Sequence, residues 1–378
     1  MDRKLKVSLI GALDMLKFKN LAPNRRKAIE AAPAKPLPKT IGTNEKAIFM
    51  HPRRQLVRIK DKIPNGPDAV TVVLEKAEGG ALAPFRAGQY ISVSVSAGET
   101  RTTRSYSLCG SPDWAWQGIY HITVKRVEDD GFVSQFIQDE WTIGQEIAIS
   151  APQGHLYYEP IRDGYEDFDL TILSGSRKEE DILYRKELDA VAAACDKVHI
   201  VHVLSDEAKP GFEQGFITAE LIRKYAAGEP YSVFMCGPQA MYTFLDQETA
   251  KLGLDHKHVR RELFGMIKDP WNQPDYPAQI RGKTFRVKVI LFDQEFNITA
   301  SADEPLLTAF DRAGIKAPSR CRSGECGWCR SRLLEGQVYV PAITDGRRGA
   351  DKDFGYIHPC SSFAMSDLVV ELPGQYQS

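Results

Sequence analysis

From about residue 55 the chain falls into short runs in which apolar and polar residues alternate. Gln55–Lys62, Ala69–Lys76, Gln89–Val95, Arg104–Leu108, Tyr120–Val127 and Glu146–Ser150 each read as strands, because successive side chains on a strand face opposite sides. Turn residues separate them, and the pattern predicts a small antiparallel β-barrel over 49–158. Beyond 159 the period changes. Asp169–Leu173, Lys197–Leu204 and Tyr231–Met235 read as buried strands. Helices over Glu179–Cys195, over Ile217–Tyr225 and from Gln239 alternate with them, and Arg261-Glu262-Leu263-Phe264 completes the stretch. This order predicts an α/β domain with a parallel sheet over 159–270. The last stretch, 281–378, opens on two alternating runs, Lys283–Leu291 and Gln294–Ala300, around a Phe292-Asp293 turn. A helix over Glu304–Ala313 and late strands Gln337–Val340 and Asp367–Leu372 make it α+β. The fold class is therefore multidomain.

Residues 1–48 stand apart. Residues 1–30 carry eight Lys/Arg against three Asp/Glu, with Leu9, Leu13 and Leu16 at helical spacing. Pro33, Pro36 and Pro38 then read as a semi-extended linker. A docking helix and an arm packed on its own body are both compatible with this pattern. Val7 to Leu13 is short, interrupted by Gly11 and followed by Asp14, which makes a poor signal peptide. No apolar run approaches the roughly 18 residues of a bilayer span. The net charge of −1 gives nucleic-acid binding no support. A cytoplasmic protein is expected.

Seven cysteines change the picture. Cys321, Cys326 and Cys329 form C-x4-C-x2-C, and Cys360 follows thirty residues later. That is the plant-type ligand spacing for a [2Fe–2S] cluster. Structural zinc takes paired C-x2-C knuckles, and only one is present. Gly324 and Gly327 let backbone N–H groups turn towards the sulfides. His358 lies two residues before a ligand, but a Rieske centre needs two histidines. Arg320, Arg322, Arg330 and Arg332 surround the loop and read either as a solvated face or as a docking rim for an acidic acceptor.

The barrel carries its own candidate site. In Arg104-Ser105-Tyr106-Ser107, Arg104 and Tyr106 share one face of a strand. A cation, an aromatic ring and a hydroxyl suit a planar, phosphate-bearing ligand. Lys125-Arg126 follows, then Gly131-Phe132-Val133-Ser134, where Gly131 opens a short helix whose N–H groups and Ser134 can meet phosphate. R-S-Y-S, I-T-V-K-R and G-F-V-S resemble the flavin domain of the ferredoxin–NADP reductase superfamily. With the C-terminal cysteines the order is similar to its oxygenase reductases, over residues 50–378. The resemblance implies that Arg104 and Ser134 hold flavin phosphates, that Tyr106 and Ser107 line the isoalloxazine, and that Lys125 and Gly131 belong to the same site. The glycine–serine helix start resembles FAD members and R-S-Y-S-L-C also FMN members, so FAD is expected with FMN open.

The same resemblance gives 159–270 a pyridine-nucleotide role. It puts Ser176 and Arg177 at the adenosine end, and Cys236, Gly237 and Pro238 beside the nicotinamide. Glu262 and Phe264 fall near the flavin, which makes Cys236, Glu262 and Phe264 the residues at the reacting centre. Asp206 follows Ser205 where NADPH-using relatives carry an arginine; it repels a 2′-phosphate and accepts from a ribose hydroxyl, so NADH is expected. One departure matters. Relatives open this domain with a strand, a G-G-x-G-x-T-P turn and a helix. Here fifteen residues separate Gly154 from Leu170, and no such turn exists in the chain. A sheet without its central strand must rearrange or expose its edges.

The expected function is a reductase that passes electrons from NADH through flavin and a [2Fe–2S] cluster to a partner redox protein or oxygenase. The alternative is a flavin and iron–sulfur carrier that cannot oxidise NADH because the nucleotide loop is missing.

Overall fold

The computed structural model describes residues 21, 23–32, 42–97, 100–127, 131–163, 169–226, 228 and 230–374. The chain divides into two compact units, Met1–Lys46 and Ala47–Ser378. In the first, residues 23–31 are helical. Leu9, Leu13 and Leu16 and the three linker prolines lie outside the described residues. Among the described residues no helix is long and apolar enough to cross a membrane.

The second unit begins with the barrel. Its strands are β1 (Gln55–Pro64), β2 (Ala69–Lys76), β3 (Tyr90–Ala97), β4 (Thr100–Ser107), β5 (Ile119–Lys125) and β6 (Glu146–Ile149), in the sheet order β4-β3-β6-β1-β2-β5. The pairings are antiparallel, and a bridge between Leu108 and Ile122 draws the two outer strands together. Alternation sends Val57 and Ile59 of β1, and Tyr120, Ile122 and Val124 of β5, into one core. Each such aliphatic side chain contributes about 1.5–3 kcal/mol when fully buried. Helix α1 (Phe132–Glu140) adds Val133 and Ile137 to that core. Lys62 Nζ donates to the carbonyls of Gln138 (2.7 Å) and Trp141 (2.9 Å), so a barrel lysine caps the C-terminus of α1.

In the α/β part, β7 (Leu170–Ser176), β8 (Val198–Leu204) and the short β9 (Glu213–Gln214) form one parallel sheet. Strands β10 (Val233–Cys236) and β11 (Val259–Glu262) form a second parallel sheet. The two are not hydrogen-bonded to each other. Helices α2 (Arg185–Ala194), α3 (Ala219–Tyr225) and α4 (Gln239–Ala250) alternate with the strands. The helix expected over Glu179–Cys195 is interrupted. Tyr184 adopts φ +56°, with a 3-10 turn before it and α2 after it. Tertiary contacts override local preference here. The Tyr184 amide donates to Asn65 Oδ1, and its hydroxyl bonds to Thr123 and Thr71 on the barrel wall.

The C-terminal part is a β-grasp arrangement. A hairpin, β12 (Thr284–Leu291) and β13 (Gln294–Ser301), turns at Phe292 with φ +53°. Strand β12 pairs in parallel with β18 (Leu368–Glu371), which pairs with β14 (Ser331–Glu335), and β14 with β16 (Tyr356–Ile357). A small pair, β15 (Val338–Tyr339) and β17 (Phe363–Ala364), lies apart. Helix α5 (Leu306–Arg312) buries Leu306, Leu307, Ala309 and Phe310 in a core that also holds Val287, Val289 and Val370.

Candidate active site

The cysteine loop joins α5 to β14, and all four predicted ligands are free thiols. Cys321, Cys329 and Cys360 are buried while Cys326 reaches the surface. The four sulfurs are linked in series: Cys329 and Cys360 are 3.3 Å apart, and Cys321 shares hydrogen bonds with Cys360 and Cys326. Those bonds hold the Cys321 thiol well below its ordinary range and push Cys326 and Cys360 up, as expected when thiols share protons. Backbone amides already face the sulfurs, Ser323 (3.5 Å) and Cys326 (3.4 Å) to Cys321 and Trp328 (3.5 Å) to Cys326. Gly324, at φ +86°, must be glycine, since a Cβ there would lie 2.1 Å from the Thr344 carbonyl. His358 Nδ1 donates to the Gly324 carbonyl at 2.6 Å and ties Cys360's segment to the loop. The donor set fits the cluster.

The barrel meets this loop along β4. The Thr103 hydroxyl bonds Ser319 Oγ (2.7 Å) and the Arg320 carbonyl (3.4 Å), and Ser105 donates to the Cys321 carbonyl (3.5 Å). Arg104 is largely enclosed and among the described residues forms no ion pair, donating only to Thr102 Oγ1 and the Thr103 carbonyl. Burial, then the neighbouring Arg322, lowers its guanidinium to about 10. An enclosed cation without its own carboxylate fits a phosphate. Tyr106 lies beside it, pushed up to about 12 by burial; Ser107 is exposed at the end of β4.

The other predicted flavin contacts are engaged with their own neighbours. Lys125 pairs with Asp68 at 3.3 Å. Ser134 donates to the Gly131 carbonyl (2.8 Å) and accepts from the Val127 amide (3.2 Å), with Gly131 capping α1. A Cβ on Gly131 would lie 1.8 Å from the Val127 carbonyl.

Cys236, Glu262 and Phe264 are brought together. Cys236 and Glu262 are register partners on β10 and β11, and Phe264 meets the Tyr90 ring of the barrel edge-on at 6.3 Å. Glu262 is 2% exposed, and neither of its oxygens completes a hydrogen bond. Burial, then the charge of Glu325 from the cysteine loop, pushes it up to about 8, and the nearby His155 amide offsets only part of this. Glu325 reaches the surface, yet partial burial of its carboxyl raises it to about 7, although the Leu263 amide donates to it at 3.3 Å. Burial and Glu262 raise Cys236 to about 11. Gly154, at φ +104°, lets the barrel approach this group; a Cβ there would lie 2.4 Å from Glu262 Oε1. An unbonded buried carboxyl beside two aromatic rings fits the edge of a flavin.

Ser176, Arg177 and Asp206 occupy the C-terminal ends of β7 and β8, where open α/β sheets bind ligands. The Asp206 amide donates to the Arg177 carbonyl (2.9 Å), and Ser205 Oγ donates to Asp206 Oδ1 (2.6 Å). Gly237 and Pro238 end β10 on the other sheet, ahead of α4.

Sequence reasoning grouped Arg322 with surface arginines, and that is corrected here. Arg322 is 2% exposed and paired with Asp311. Arg320 instead lies over the Trp328 ring (3.4 Å), and Arg330 pairs with Asp351 (2.6 Å). Thr102, Tyr90 and Glu325 were missed as site residues. Hydroxyls at 102, 103 and 105 of one strand were the available signal.

Three family models match consecutive stretches: an oxidoreductase FAD-binding domain over 59–158, an oxidoreductase NAD-binding domain over 157–247 and a 2Fe-2S iron-sulfur cluster binding domain over 289–365. The ferredoxin reductase component of 3-ketosteroid-9-alpha-monooxygenase from Rhodococcus rhodochrous is 24% identical over 312 residues, covering 75% of this chain and 86% of its own length. The glycine betaine monooxygenase reductase subunit of Chromohalobacter salexigens is 23% identical over 328 residues, covering 76% and 87%. The solved structure of phthalate dioxygenase reductase shares the fold, with a TM-score of 0.57 at 24% identity over 84% of this chain and 98% of that one. Three such domains in this order define a pyridine-nucleotide-dependent flavin and iron–sulfur oxidoreductase. Together the three matches run from 59 to 365 and place FAD-binding, NAD-binding and 2Fe-2S cluster-binding domains in that order along the chain.

Proposed function

We propose that this chain is the reductase component of a multi-protein system, taking electrons from NADH and delivering them singly to an oxygenase or other redox protein in the cytoplasm. The observation that carries the reading is the convergence of three parts around the buried Glu262 carboxyl. Glu262 and Phe264 come from the α/β part, Tyr90 and Gly154 from the barrel, and Glu325 from the cysteine loop. When bound, a flavin accepts a hydride and releases electrons one at a time to a one-electron cluster. The chain's own residues align and enclose. Arg104 binds phosphate, Tyr106 and Phe264 pack on the ring system, and Glu262 stays protonated at neutral pH and adds no charge beside it. Cys236 and Gly237 border the nicotinamide, and Asp206 disfavours a 2′-phosphate. The four cysteines hold the cluster.

The separation of β7 from β10 supports the reading that the family's first strand, glycine turn and helix are missing from this chain. Nucleotide then binds through the strand ends alone, with weakened affinity for its pyrophosphate.

The test is an anaerobic absorption spectrum before and after one equivalent of NADH. Flavin and cluster bands that bleach within seconds support the reductase. Bands that respond only to dithionite overturn it in favour of a carrier.

A further inference from the structure

Strand β4 and the cysteine loop meet at a charged group that the family match does not assign. Arg322 follows the first ligand, Cys321, yet its side chain turns away from solvent and crosses to the barrel. Its Nη2 donates to Asp311 Oδ2 on α5 (2.5 Å), and its Nη1 donates to Thr102 Oγ1 on β4 (2.8 Å). The same hydroxyl accepts from Arg104 Nη1 (3.0 Å) and donates to Asp311 Oδ2 (3.4 Å). A threonine hydroxyl has one proton and two lone pairs, so this one is fully committed. Two enclosed guanidinium groups thus share one hydroxyl, and that hydroxyl and Arg322 bond the same carboxylate. Arg322 is also held at φ +58°, a conformation that disfavours a non-glycine residue and persists only where surroundings dictate it.

We propose that Arg322 is the positioning residue that clamps the cluster loop to the flavin barrel, with Thr102 as the vertex joining it to Arg104. The clamp serves the flavin-to-cluster step and leaves hydride delivery alone. Its guanidinium also neutralises Asp311 beside the cluster loop, so that removing it leaves a negative charge there and lowers the cluster's reduction potential, since net local charge is one determinant of that potential. The inference rests on the reading above that Arg104 marks the flavin and the four cysteines the cluster.

The test uses the full holoprotein, with flavin reduced photochemically by 5-deazariboflavin so that NADH competence does not enter. Thr102→Val keeps the volume and removes the vertex. Cluster bleaching should slow roughly tenfold, the effect of one charge-assisted hydrogen bond, while Thr102→Ser restores the rate. Arg322→Gln should slow the same phase and shift the cluster midpoint potential downward, a readout that loose packing alone does not produce. Thr102→Val with the native rate overturns the clamp, as does Arg322→Gln with an unshifted potential. If Arg322→Gln fails to fold, the valine–serine pair decides. Arg104→Gln separates the two levels: flavin loss supports the site reading, and retained flavin overturns that reading while the valine–serine comparison still judges the clamp.

Discussion

Strands β4 and β7 both lie at the edge of their sheets, and the molecule treats them in opposite ways. The outer side of β4 is closed by another domain: Thr102 and Thr103 are buried, and the hydroxyls of 102, 103 and 105 all bond to α5 or the cysteine loop. Among the described residues strand β7 pairs with β8 on one side only, and its seven residues are all exposed or half-buried. A covered edge becomes a fixed contact, whereas an uncovered one leaves backbone groups to water. The contrast separates the two ends of the electron path. On the proposed reading, the end leading from flavin to cluster is built as tightly as a core, and the end proposed to receive nucleotide is open.

The hardest break is at the cluster. Cys360→Ser should abolish the iron–sulfur absorption while flavin remains bound, and NADH-driven reduction of a one-electron acceptor such as cytochrome c should fall to background. Flavin lost together with the cluster would mean that the tight end folds only as a unit. Hydrogen exchange sharpens the contrast. Amides of β7 should exchange at least about a hundredfold faster than those of β2, which is paired on both sides. Equal protection would argue that another part of the molecule covers the β7 edge.

Glu262 tests the seam between the two ends through pH. Its folded value of about 8 lies above the ordinary carboxyl value of 4.5, so the folded protein holds this proton longer than the unfolded chain. The penalty for ionising it is absent below about 4.5, grows between 4.5 and 8, and is constant above. Glu262→Gln should therefore come close to the native protein near pH 5 and exceed its stability by about 5 kcal/mol at pH 9, read from thermal melts at the two values. The smallest effect lies away from the seam. Burial raises Asp345, but Arg347 (2.8 Å) and Lys352 (3.0 Å) outweigh it and hold the carboxyl down to about 2. Asp345→Asn should cost about 1–2 kcal/mol at pH 7, a difference that fades as pH falls from 4 towards 2.

Legibility in the sequence followed the range of the forces involved. Alternation located β1, β2 and β12 to within two residues at either end, because each strand buries one face in its own domain. The cysteine spacing named the cluster, since four ligands around two irons leave few sequence solutions. Strand β14 was not seen: Ser331–Glu335 has one short alternation and is specified by β18, far along the chain. The break at Tyr184 was invisible for the same reason, its partners being Asn65, Thr71 and Thr123. Arg322 misled because a charged residue in a glycine-bearing loop usually points to water, and only Asp311 and Thr102, from two other elements, draw it inward.

The row of hydroxyls on β4 bears on how such chains can be recombined. Relatives with the same domain order invite grafts in which one ferredoxin module replaces another. Here the module's seat is written partly in a different domain, at Thr102, Thr103 and Ser105. A foreign module inserted after residue 281 meets hydroxyls arranged for this loop alone, so a working chimera must carry its own version of β4 with it.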